Sequence, residues 1–187
     1  DIVFSLPPQS LLDLIPIDGG LSTTYRESIK KLPKPSGAAV FYGALRRADL
    51  PVDCPGHIQV FDENFGSLFI SISMEDDQRA PAGMATLIAS VFVDIDEWSN
   101  LDSQSYARKK NISVKQIRTI LNKKFDLQDT SWDHQELSTP RSFERWTGRP
   151  GGIVGGLGQH PDQFGPFGLS SRTPLRGLWL CGDSIYP

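Results

Sequence analysis

Cysteine is scarce in this chain. Of 187 residues only Cys54 and Cys181 carry thiols, and they lie far apart. That excludes a disulfide framework and a CxxC metal or redox site, and the expected state is two free thiols in a reducing compartment. Long apolar runs are lacking as well. No stretch approaches the roughly 18 residues that a membrane-crossing helix needs, and the first residues do not have the pattern of a signal peptide. A cytoplasmic location is the resulting expectation. Nor does charge of one sign accumulate: 19 Lys and Arg against 22 Asp and Glu leave a formal charge of -3. The longest basic run is Arg108-Lys109-Lys110, a length typical of solvated helix faces, so no nucleic-acid partner is expected.

Catalytic signatures are equally thin. The three histidines, His57, His134 and His160, show no HExxH spacing, and no G-x-S-x-G elbow is present. Cys54-Pro55-Gly56-His57 offers two ligands at most and reads as a turn, so no metal site is expected.

What the sequence does have is a clear succession of elements. DIVFSL reads as the end of a strand closed by Pro7-Pro8, followed by a short apolar helix, QSLLDLI. LSTTYRESIKKL reads as a helix with Ser22 or Thr23 near its cap and a stop at Pro33. Between Gly37 and Asp94 the pattern is that of strands: AAVFYGALR, HIQVFD, SLFISIS and MATLIASVFV, with a turn over 76–83. Alternation in SLFISIS puts Leu68, Ile70 and Ile72 on one side and Ser71 and Ser73 on the other, the mark of a half-exposed antiparallel strand. Two helices are then expected, one around 97–109 and one from SVKQIRTILNKKF, with Ser113 as cap and Val114, Ile117, Ile120, Leu121 and Phe125 on one face. Thr139-Pro140 announces a final short helix running to Gly148.

From Arg149 to Pro174 the composition shifts to seven glycines and four prolines. Such a segment forms no long regular element, and it lets backbone pass close to a flat ligand because glycine has no Cβ to hold the two apart. Phe164 and Phe167 are candidate walls of an apolar pocket or anchors of the loop. Next comes GLWLCGDSIYP. Leu178-Trp179-Leu180-Cys181 suits a strand buried on both faces, as in a parallel sheet, with Gly182-Asp183 at its carboxyl end, where open α/β sheets place ligands.

Together, TPRSFERWTGRPGGIVGGLGQHPDQFGPF and GLWLCGDSIYP resemble the C-terminal region of the phytoene desaturase and carotenoid isomerase family of flavoproteins. DIVFSLPP and APAGMATLIASVFV extend the resemblance upstream. It implies an α+β fold: a mixed, mainly antiparallel sheet with helices, flanked by strands of a split FAD-binding Rossmann-type domain. Residues 1–10 would be a strand of that domain, 11–148 the substrate-binding domain, and 149–187 the glycine-rich segment with the returning strand. The cofactor implied is FAD, contacted by Gly182, Asp183, Ser184, Gly155 and Gly156. The substrate implied is a long polyene passing Gly151, Gly152, Phe164 and Phe167, with His160 a candidate for proton handling. Drawing a carotenoid from a membrane implies a peripheral membrane association.

The wording GRPGGIVGGLGQHP resembles the cyanobacterial-type enzymes that desaturate carotenoids at the C-3′,4′ bond. Carotenoid cis-trans isomerisation is the second activity the family offers, and a non-catalytic polyene- or lipid-binding module is the alternative from another class. A GxGxxG fingerprint, which would hold the adenosine half of FAD, is missing. The expectation is therefore a fragment of a longer enzyme, inactive and without FAD when isolated.

Overall fold

A computed structural model describes residues 1–63, 65–158, 161 and 165–185. The chain divides into two compact units, one formed by 1–36 with 153–187 and the other by 37–152.

In the first unit, β1 (Ile2–Phe4) and β7 (Leu178–Leu180) pair in parallel, Ile2 opposite Leu178 and Phe4 opposite Leu180. The parallel partnership expected of the LWLC run is present, although Leu178 and Trp179 are only half-buried and Leu180 alone is fully enclosed. After Pro7-Pro8 come α1 (Ser10–Leu14) and then α2 (Thr23–Lys30). Ser22 caps α2 by accepting the Tyr25 N–H at 3.2 Å, which satisfies one of the free donors of the first turn. The Arg26 guanidinium donates to the carbonyls of Ile15 and Pro16, tying α2 to the loop before it.

The second unit is built on a five-stranded antiparallel sheet in the order β3-β4-β5-β2-β6, from β2 (Gly37–Arg46), β3 (His57–Asp62), β4 (Gly66–Ile72), β5 (Met84–Val93) and β6 (Trp132–Ser138). Its helices are α3 (Asp96–Ser99), α4 (Ser103–Phe125) and α5 (Pro140–Thr147). Alternate residues of the strands, among them Phe41, Leu45, Leu68, Ile70, Leu87 and Leu137, point to one face, where they form a single buried cluster with Ile117, Leu121 and Phe125 of α4. The one-in-two strand period and the helical stripe meet there, so each buries what the other leaves exposed.

Three features of the second unit differ from the sequence reading. The two expected helices are one, α4, capped by Asp102, whose carboxylate accepts the Gln104 and Ser105 N–H groups at 2.9 and 3.0 Å. Ser113 is a buried mid-helix residue rather than a cap. Ser73 lies just past β4 and is buried instead of solvent-facing. Its hydroxyl accepts the Thr86 N–H at 3.0 Å. Finally, WDHQELS, too polar to signal a strand, is the edge strand β6. Its place is set by Trp132, whose ring meets Phe41 edge-on at 5.4 Å and fills the space that a side chain at Gly43 would take.

α5 begins as its sequence announces, with a capping box between Thr139 and Ser142 and Pro140 in the first turn. Thr139 is fully buried and bonds the Tyr106 hydroxyl at 2.8 Å. Arg141 lies over the Tyr106 ring at 4.6 Å and donates to the carbonyls of Ser99 and Leu101.

Candidate functional site

The carboxyl ends of parallel strands gather unpaired backbone groups, and ligands of α/β sheets bind there. At the end of the β1–β7 pair the Cys181 N–H donates to the Phe4 carbonyl at 2.9 Å, after which the chain turns sharply at Gly182. Gly182 has φ +111°, a conformation only glycine adopts without strain. The Ile185 N–H closes the turn on the Gly182 carbonyl at 3.2 Å.

The glycine-rich run comes to this turn. A Cβ on Gly156 would stand 2.2 Å from the Asp183 carbonyl oxygen and 3.0 Å from the Ser184 nitrogen. Gly155 beside it also has positive φ, +74°, but faces open space. Gly155, Gly156, Gly182, Asp183 and Ser184 are thus one backbone-lined patch of the first unit, although 26 positions separate Gly156 from Gly182. Gly155, Gly182 and Asp183 are exposed there, Ser184 is half-buried, and Gly156 is buried where it packs the run on the turn.

The other expected site residues have different places. Gly151 and Gly152 belong to the second unit, in a tight turn after α5. The Gly151 N–H donates to Glu144 Oε1 at 2.9 Å, and a Cβ on Gly152 would lie 1.8 Å from the Pro140 carbonyl oxygen. Both glycines therefore have a packing reason to be glycine. Phe167 is 68% exposed in a short turn over Gly165–Phe167. His160 and Phe164 lie outside the described residues. Among the described residues no group of His, Cys, Asp and Glu could hold a metal ion, and Cys54 and Cys181 are free thiols. Burial pushes the Cys54 thiol above its ordinary pKa. No helix among the described residues is long and apolar enough to cross a membrane.

One surface was missed from the sequence. The sheet of the second unit has a second face, opposite the α4 core, that carries Phe61 of β3, Phe69 of β4, Ile88 and Phe92 of β5, and Tyr42 of β2. Phe61 and Phe92 are 76% and 73% exposed, and His57 stacks on Phe69 at 5.6 Å. Partial burial raises the Tyr42 phenol pKa, and the carboxylate of Glu136, its cross-strand neighbour, adds to the shift. The alternation of HIQVFD and SLFISIS already contained this signal: Phe61 and Phe69 fall out of phase with the buried Ile and Leu positions. Solvated sheet faces are usually polar, so these exposed rings, set among Ser67, Ser71 and Ser90 of the same face, make it a candidate contact surface.

No protein-family profile matches the chain. Curated relatives do. The chain is 30% identical to the chloroplastic prolycopene isomerase of Arabidopsis thaliana over 129 residues, 67% of this chain and 22% of that protein. It is 29% identical to that of Daucus carota over 148 residues, 74% of this chain and 24% of the relative. With prolycopene isomerase 2 of an Oncidium hybrid cultivar it shares 29% over 167 residues, 83% of this chain and 28% of the relative. The chain thus spans about a quarter of the length of the curated relatives it matches. Similarity over most of its length, with the same α+β architecture its motifs implied, leads to one assignment: the chain belongs to the phytoene desaturase and carotenoid isomerase family.

Proposed function

We propose that this chain supplies the substrate-binding part, and one wall of the cofactor site, of an FAD-dependent enzyme that isomerises a long polyene. The observation that carries the reading is the similarity to prolycopene isomerases over two thirds or more of the chain. The patch of Gly155, Gly156, Gly182, Asp183 and Ser184 suits the ribityl and pyrophosphate region of FAD, since Gly155, Gly182 and Asp183 are exposed at the carboxyl end of parallel strands and the buried Gly156 holds the run against the turn. Bound there, the flavin would supply the electron chemistry of polyene modification, and the protein would supply orientation and an apolar surface. The sheet face bearing Tyr42, Phe61, Phe69, Ile88 and Phe92 suits a flat conjugated chain, because aromatic rings give contact area without requiring hydrogen bonds.

Desaturation is the second reading, favoured by the GRPGGIVGGLGQHP wording. The two reactions differ in stoichiometry: isomerisation conserves the substrate's atoms, whereas desaturation removes two hydrogens and needs an electron acceptor. Location follows the same division. The relatives carry "chloroplastic" in their names, and a cytoplasmic or membrane-peripheral place remains the proposal from composition.

The test uses the whole natural protein that contains this chain, loaded with FAD and given a poly-cis carotenoid in detergent or liposomes. Chromatography and product mass should show a trans product of unchanged mass. A product lighter by two hydrogens establishes the desaturase instead. Full FAD loading with binding of the polyene but no product in either form would leave a non-catalytic binding module.

A further inference from the structure

The second unit also holds an open groove of about 510 Å³ between the end of β5, α3 and α4, which adjoins the aromatic sheet face at Phe92. Its volume falls within the range of ordinary small-molecule sites. The α4 wall is a helical stripe of Ser105, Arg108, Lys109, Ile112, Ser113 and Gln116. At 1.5 Å per residue it runs for roughly 16 Å, so the groove is elongated. Phe65, Val91 and Val93 face that stripe.

One polar group there lacks a partner among the described residues. Trp98 is 2% exposed and its indole N–H is buried with no hydrogen-bond acceptor. A buried donor of this kind is stabilised by any acceptor that reaches it.

The charges set what kind of acceptor. Lys109 lies over the Trp98 ring at 4.8 Å and pairs with Glu97 at 2.9 Å, so its charge is already answered. The Asp94 carboxylate accepts the Asp96 N–H at 2.8 Å. Arg108 makes no ion pair among the described residues. Lys109 and Glu97 answer each other and Asp94 is held by a backbone N–H, so Arg108 is the lining cation without an ion pair among the described residues, and the two lining carboxylates disfavour a head group with more than one negative charge.

We infer that the groove is a binding site for a long-chain carboxylate, a fatty-acid-like amphiphile whose head pairs with Arg108 and whose chain lies along Ile112, Val91, Val93 and Phe65. A guanidinium presents two parallel donors to a carboxylate, and the elongated apolar wall accepts a single alkyl chain.

The experiment uses the whole natural protein and dansyl-labelled undecanoate as a fluorescent probe, with palmitate and hexadecyl phosphate as competitors. Arg108 and Ile112 are both exposed, so substituting them leaves the fold intact. The expected result is saturable probe binding displaced by palmitate more effectively than by the doubly charged phosphate. Arg108→Gln should weaken it by about tenfold, and Ile112→Glu should abolish it, both with turnover of the polyene unchanged. Absence of saturable binding, binding equal in wild type and both surface variants, or displacement of the probe by the polyene would each overturn the site. Product mass and isomer ratio test isomerisation, and probe binding tests the groove, so the two readings fail separately.

Discussion

At the scale of single residues the contrast between Gly155 and Gly156 isolates what the glycine-rich run is for. Both have φ +74°, but only Gly156 is pressed against the Asp183 backbone. Gly155→Ala should therefore cost about 1 kcal/mol, the price of left-handed backbone alone. Gly156→Ala adds a clash that neither main chain can relieve and should cost upwards of about 2 kcal/mol. Differential scanning calorimetry of the whole protein, with FAD content read from the flavin absorbance, should rank the two in that order, and Gly156→Ala should also lose cofactor. Equal effects would mean that the run does not pack on the Gly-Asp-Ser turn. A second residue-level case is Asp77. Its carboxylate accepts from the Arg79 side chain at 2.7 Å and from the Met74 and Arg79 backbone N–H groups, which holds its pKa down at about 2. A depressed folded-state pKa gives stability that is present above the ordinary carboxylate value, near 4, and lost as pH falls from there towards 2. Asp77→Asn should flatten that part of the acid unfolding curve and leave its neutral-pH shape unchanged.

At the scale of elements, α5 shows how a local signal and a tertiary contact reinforce each other. Thr139-Pro140 marked its start in the sequence, and the capping box is formed. The Thr139 hydroxyl meanwhile reaches across to Tyr106 of α4. Thr139→Val keeps the volume but removes both bonds in a fully buried place. The expected loss is about 1–3 kcal/mol, measured by urea denaturation, against a smaller loss for Ser142→Ala. α4 teaches the opposite lesson. Ser113 had the right residue type for a cap, yet the helix runs through it because Asp102 provides a better one eleven residues earlier. Short polar side chains compete for caps, and the periodic apolar stripe on both sides of Ser113 decides the outcome.

At the scale of the whole molecule, the two units differ in how they are drawn from the chain. Residues 37–152 are continuous and contain a five-stranded sheet with its own buried cluster, including Phe41, Leu68, Leu87, Leu121 and Leu137. The other unit is assembled from two distant stretches around a two-stranded sheet, and two strands seldom stand alone in water. Residues 37–152 expressed alone should therefore unfold cooperatively with a native-like circular dichroism spectrum. Residues 1–36 and 153–187, joined by a flexible linker, should show neither. Within 37–152, Leu121→Ala should cost about 2–5 kcal/mol, and a loss below 1 would contradict the packing of α4 on the sheet.

The sequence by itself determined the elements whose signals are local. The strands β2 to β5, a cap at Ser22 or Thr23, the cap at Thr139, the parallel terminal strand and the family motifs around the glycine-rich run could all be read from residue type and spacing, because turn chemistry and periodicity act within a few positions. Only the tertiary structure decided the rest. β6 is a strand because Trp132 packs on Phe41 and Gly43, although its own residues are polar. Gly156 meets Asp183 through packing of two loops, and Phe61, Phe69 and Phe92 share one open face because sheet register brings together positions that are far apart along the chain. Register and long-range packing depend on which partner strand lies alongside, and no local stretch of sequence contains that information.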